Sequence, residues 1–142
     1  MTDIGVYTSA FQVEDRSWLL NQHGVETAIS GTLDVSSLTA ATHYPNGYVP
    51  SGLVLGVITA TGLYGAYDDT AVDGRATAVG FLFSSVKIPN LSDLTKDVGI
   101  AVLAHCFVKI SKLPVQSAGT PAGRGYIDAN GQADLKLVHF TA

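Results

Sequence analysis

The sequence predicts a mainly β fold: a small, compact β-barrel or sandwich-like domain with one or two short helices and a flexible N-terminal arm. Three observations carry this. Short β-rich runs recur along the chain and end at Gly, Pro or Asn-Gly. Only two stretches have helix start and stop signals. Residues 1–14 are polar and small, with too few apolar side chains to fold alone.

Taken in order, Asp15 to Gly24 reads as one short helix. Asp15 or Ser17 would be its N-cap and Gly24 its stop, with Trp18 and Leu19 as anchors. Thr27 to Leu38 alternates through Ile29, Leu33 and Val35 and predicts a strand. His43 to Gly52 is turn-rich: Asn46-Gly47 favours positive φ, and Pro45 and Pro50 forbid a helix. Leu53 to Ala60 and Thr77 to Phe83 are β runs, and Leu63 to Arg75 between them reads as a loop. Val98 to Leu113 is the longest strand candidate, with Ile100, Val102, Ala104, Cys106, Val108 and Ile110 on one face. Residues 114–125 form a Pro/Gly/Ala loop, and Asp128 to Leu135 a short helix before an apolar end.

The 142 residues make one domain, read as an arm over 1–14 and a β-rich body over 15–142, and no repeat of 20 to 50 residues recurs. Charged residues are only 14% and apolar residues 46%. Such a chain has either an unusually dry core or an apolar patch that other subunits bury, and the second reading is favoured. The net charge of −4 has no basic cluster to set against it, which argues against direct nucleic-acid binding. The acidity is uneven. Residues 1–50 hold Asp3, Glu14, Asp15, Glu26 and Asp34 against Arg16 alone, whereas residues 51–142 balance. An acidic arm suits a basic surface on a partner. The N-terminus lacks the basic and apolar regions of a signal peptide, and no stretch is long enough to span a membrane. A soluble protein made in the cytoplasm is expected. Cys106 is the only cysteine, so no intrachain disulfide forms.

No catalytic, cofactor or metal site is expected. His105 and Cys106 are adjacent, and neighbours on a strand point to opposite faces, so they do not form a nucleophile–base pair. Asp68, Asp69 and Asp73 lack Ca²⁺-loop spacing, and His23, His43, His105 and His139 lack metal-ligand spacing. The glycines 52, 56, 62 and 65 are not a phosphate loop and fit the corners of a small barrel. Tyr44, Tyr48, Tyr64 and Tyr67 have two equal readings, as core edges or as an interface belt. Asp73-Gly74-Arg75 is turn chemistry, with Arg75 also placed to pair with an acid across a subunit interface.

From Asn46 to Tyr67 the sequence resembles the lambda-type bacteriophage head decoration proteins. Gly47, Pro50, Gly52, Leu55, Gly56, Ile58, Thr59, Gly62, Tyr64 and Tyr67 stand where that family reads G-x-x-P-x-G-x-x-L-G-x-I-T-x-x-G-x-Y-x-x-Y. Thr70 to Gly80, Asp97 to Lys109, Leu113-Pro114 and Ile127 to Ala129 follow in the family's order. There are two departures. The N-terminal segment is longer than in the shortest members, and Cys106 replaces an expected glycine. The resemblance implies a non-enzymatic structural protein of the virion. It would bind as a homotrimer to the major capsid protein at local threefold positions, on the outer surface of an expanded capsid, and stabilise it against packed DNA. Ile4, Val6, Tyr7 and Phe11 of the arm would touch the capsid, and Tyr64, Tyr67 and Arg75 a neighbouring subunit. Two other classes compete. A virion-displayed carbohydrate- or receptor-binding module would need exposed aromatic platforms. A small hydrolase would need a nucleophile and base that the sequence does not supply.

Overall fold

The computed structural model describes residues 4–5, 13–115 and 125–142. The elements are β1 (Ile29–Leu33), α1 (Ala40–His43), β2 (Tyr48–Val49), β3 (Val54–Val57), β4 (Tyr64–Ala66), β5 (Gly80–Leu82), β6 (Val86–Lys87), β7 (Val98–Leu103), β8 (Phe107–Lys109), α2 (Ala129–Asp134) and β9 (His139–Thr141). Three short 3₁₀ turns lie at 25–27, 35–37 and 110–112. Five strands close a barrel in the order β1-β4-β3-β5-β7. Its longest seam is the antiparallel β1–β7 pair, from Ile29 opposite Val102 to Leu33 opposite Val98. β2 pairs with β6, and β8 runs parallel to β9. The fold is the mainly β barrel that the sequence predicts.

Along β3, β5 and the end of β7 the barrel wall is buried on both faces, whereas β1 turns one face to solvent. Successive residues of a strand point to opposite sides. Leu55, Leu82 and Val102 point inward to a core with Leu33, Val35 and Ile100. Their neighbours Val54, Phe81 and Leu103 point outward and are buried too, under Trp18, Tyr67, Cys106, Val108, Ile127 and Leu135. Residues 13–23 and 125–142 thus form a second layer over the wall. Both faces there need apolar side chains, which explains why β3 and β5 read as continuous apolar runs rather than as alternation. It also houses much of the apolar surplus inside the subunit. Where the wall is tightest only glycine fits: a Cβ on Gly80 would lie 2.6 Å from the Leu103 carbonyl oxygen.

Several expectations need correcting. Residues 15–24 form turns and a single bridge from Leu19 to Val108, not a helix. The segment runs beside β8, where the Lys109 N–H donates to the Trp18 carbonyl at 2.7 Å and the Leu20 N–H to the Phe107 carbonyl at 3.1 Å. A ten-residue helix is marginal alone, and pairing with β8 wins. The 27–38 strand stops at Leu33, because the Asp34 carboxylate accepts from the Ser36 N–H and starts a 3₁₀ turn. The 63–75 loop contains β4, whose small Gly65 and Ala66 carry little strand propensity but pair with β3. Val98–Leu113 is two strands broken at 104–106, because β7 closes the barrel whereas β8 leaves it to pair with β9. The one-turn helix α1 has no counterpart in the sequence reading. The Asn46-Gly47 turn, with Gly47 at φ 80°, and the 129–134 helix capped by Asp128 form as expected. Most of the 114–125 loop lies outside the described residues.

Candidate interaction surfaces

The chain from Val13 to His23 leads onto the barrel by a set of anchors. Glu14 accepts from the Ser85 N–H at 3.1 Å, from the Ser85 hydroxyl and from Arg16 Nε at 3.1 Å. Arg16 also donates to the Phe83 carbonyl at 3.2 Å and to Ser84 Oγ at 2.9 Å, with its guanidinium 4.1 Å from the centre of the Phe83 ring. The desolvated anchor is Trp18, 1% exposed. It stacks on Phe81 at 5.4 Å, and its Nε1–H donates to Ser51 Oγ at 3.1 Å. That burial removes the one tryptophan that a carbohydrate-binding platform would have used. Of the expected arm contacts, Ile4 is 88% exposed, whereas Val6, Tyr7 and Phe11 lie outside the described residues.

The expected subunit-contact residues separate in depth. Tyr67 is fully buried, and its hydroxyl donates to Asp128 Oδ1 at 2.8 Å. Burial and the Asp128 carboxylate hold the phenol well above its ordinary range. Tyr67 therefore belongs to the outer core and offers no surface to a neighbour. Tyr44 is also a core residue, while Tyr48 and Tyr64 are half-buried. Tyr64 leans over Gly31, where a Cβ would meet its ring at 2.4 Å. Arg75 lies over Gly65 and pairs with Asp73 of its own chain at 3.0 Å. Burial is the largest single influence and pushes the Asp73 carboxyl up, but the hydrogen bonds from the Arg75 backbone and side chain and its positive charge together outweigh it and hold the group below its usual range.

Beside Arg75 is a polar pocket of about 150 Å³ lined by Ser37, Thr39, His43, Ala66 and Asp68. No motif or spacing announces it. It forms because α1 turns His43 inward, where Nδ1 accepts the Thr39 N–H at 2.8 Å. That bond leaves the proton of a neutral ring on Nε2. The Ser37 hydroxyl donates to the Asp34 carbonyl at 2.7 Å, so its proton is not offered to His43. The three loop acids are also separately engaged. Asp68 accepts from the Thr70 N–H at 3.0 Å and from its hydroxyl at 2.7 Å, Asp69 accepts from Asn130 Nδ2 at 3.1 Å, and Asp73 holds Arg75. Among the described residues no three His, Cys, Asp or Glu side chains converge as metal ligands. Cys106 is buried, and burial pushes its thiol up to about 12, away from the thiolate a nucleophile needs.

Among the described residues, then, the best-built features are a barrel covered on one side by a second layer, a docked lead-in at 14–18 and a surface around Tyr64 and Arg75. A comparison with curated proteins returns no match. The family model described as bacteriophage lambda head decoration protein D matches residues 24–124, well over half of the chain, and the chain belongs to that family.

Proposed function

We propose that this protein binds as a homotrimer at local threefold positions on the outer surface of an expanded phage capsid, and stabilises the shell against the pressure of packed DNA without catalysing a reaction. The observation that carries the reading is the family membership over residues 24–124; the family is a structural one of the phage head, not an enzyme family. The arm ahead of Glu14, with Ile4, Val6, Tyr7 and Phe11, is taken to contact the major capsid protein. Tyr64 and Arg75 are taken to face a neighbouring subunit, whereas Tyr67, also expected there from the sequence, is sealed beneath α2. The subunit is made in the host cytoplasm and ends on the virion surface.

Physical reasoning supports such a clamp. An extended segment can add a strand to an exposed sheet edge. Ordering it costs conformational entropy, so one arm binds weakly. Three arms on one trimer raise avidity through effective concentration. A protein that binds only the expanded lattice stabilises it by about 2.7 kcal/mol per site at 100 times its dissociation constant. Co-sedimentation with expanded, undecorated capsids of the cognate phage tests this. The full chain is compared with one lacking residues 1–13, a cut that spares the Glu14 anchor. Saturation at three copies per local threefold site, lost on truncation, is the expected result. Binding that survives truncation would move the contact to the folded body. No binding by either form would overturn the reading.

A further inference from the structure

The barrel brings together two histidines that lie 82 residues apart in sequence. His23 Nε2 and His105 Nε2 are 3.2 Å apart, and their ring centroids are 4.8 Å apart with the planes at 82°. Two imidazole nitrogens bound to one tetrahedral ion at about 2.0–2.1 Å stand about 3.3 Å apart, with their centroids about 5 Å apart. Two imidazoles joined end to end by a linear hydrogen bond would hold their centroids about 5.5 Å apart. The two nitrogens stand within hydrogen-bond distance, and the short centroid spacing bends them toward a shared point rather than placing the rings end to end.

The backbone holds both sides of the pair in place. Gly24, next to His23, has φ 82°, and a Cβ there would lie 1.7 Å from the His105 carbonyl oxygen, so the 22–24 loop sits directly on the 104–106 bend. Asn21 Oδ1 accepts the His23 N–H at 2.9 Å, and the Gly24 carbonyl accepts the Thr27 N–H at 3.0 Å, which fixes the loop from within. On the other side, the Cys106 carbonyl accepts from the His139 N–H at 3.0 Å, and the Phe107 carbonyl from the Leu20 N–H at 3.1 Å. The Phe107 ring meets His23 edge-on at 5.2 Å and limits its rotation. The His23 ring therefore keeps little freedom to lose on chelation, and the backbone carrying His105 is fixed.

We propose that His23 and His105 form a two-imidazole chelate for a borderline divalent transition ion, with water completing the coordination. Imidazole favours Zn²⁺, Cu²⁺ and Ni²⁺ over Ca²⁺ and Mg²⁺. His23 is exposed and His105 half-buried, so an ion reaches the pair from solvent. His23 stands one residue before the family-matched stretch, so the pair combines a position outside that match with one inside it. The proposal does not depend on capsid binding.

Calorimetric titration of the full chain with Zn²⁺ tests it. One ion per chain is expected, with affinity falling at least tenfold in H23Q and in H105Q and unchanged in H139Q, whose ring lies against Phe107 instead. Unchanged circular dichroism of each variant shows that the fold is kept; His23 is an exposed loop residue, so H23Q alone decides the matter if H105Q unfolds. Absence of one-to-one binding, binding indifferent to H23Q, or binding lost only in H139Q would each overturn the proposal.

Discussion

Replacing Trp18 by alanine asks whether residues ahead of the family-matched stretch are part of the folded unit. The side chain is 1% exposed, stacked on Phe81, with its N–H donated to Ser51. A buried tryptophan removes about 200 Å² from water, worth about 5 kcal/mol at 25 cal/mol per Å². Alanine keeps little of this, and partial collapse of the site recovers some, so a loss of about 3–5 kcal/mol is expected. For a chain of this size that lowers Tm by about 10–17 °C. Trp18→Phe keeps most of the volume but loses the N–H, and should cost about 1–2 kcal/mol. Thermal melts followed by far-UV circular dichroism measure both. In the wild type the emission of this sole tryptophan should change in the same transition as the dichroism. A Trp18→Ala shift under about 3 °C, or tryptophan emission that melts well before the dichroism, would show that the 13–23 segment is a loose flank and refute the two-layer core.

Two further outcomes follow from buried polar groups. Tyr67→Phe removes the hydroxyl bond to Asp128 and should cost about 1.5 kcal/mol, whereas Asp128→Ala also removes the α2 cap on the Gly131 N–H and should cost about 2–3 kcal/mol. Urea denaturation ranks them, and equal costs would mean that the cap contributes nothing. Cys106 gives a pH signature. Its folded thiol is raised to about 12 from an ordinary 9.0, so folding favours the neutral form. The stabilisation is complete below pH 9 and is lost as pH rises from there toward 12. Cys106→Ala should lose less stability over that window than the wild type does, and a thiol reagent at pH 8 should modify the wild type only after unfolding.

The fold class was legible because turn chemistry and apolar runs are local signals. Asn46-Gly47 makes its turn, and Asp128 caps its helix, from residues within a few positions of each other. What was not legible depended on distant partners. Nothing between Asp15 and Gly24 announces β8, which takes that segment out of the helix its own residues favour. β4 is invisible because Gly65 and Ala66 are chosen for space beside Ser37 and Arg75 rather than for strand propensity. The candidate contact residues divided for the same reason. Tyr64 and Tyr67 are three residues apart in one turn-rich stretch, yet one leans over the barrel seam and the other is sealed beneath α2. Only the packing of the far C-terminal helix distinguishes them. The His23–His105 pair has no sequence signature, since its spacing is set by the seating of the 22–24 loop on the 104–106 bend, 82 residues away.

The double burial of the wall has a mechanical consequence for a shell protein. In a barrel with one core, the chain ends hang from the rim, and a pull on the N-terminus peels residues one at a time. Here Glu14, Arg16 and Trp18 bind β5 and the chain just beyond it, at Phe81 and at 83–85, while β8 binds the same N-terminal segment through Trp18 and Leu20. A load on the chain ahead of Glu14 therefore meets an ion pair, a charged hydrogen-bond cluster and a stacked tryptophan together, before it reaches the barrel seam. Cooperative units yield as units rather than by fraying. The residues supplying this attachment, Glu14 to Trp18, lie outside the family-matched stretch but inside the folded body, so a strong root for the N-terminal segment is built into the subunit itself.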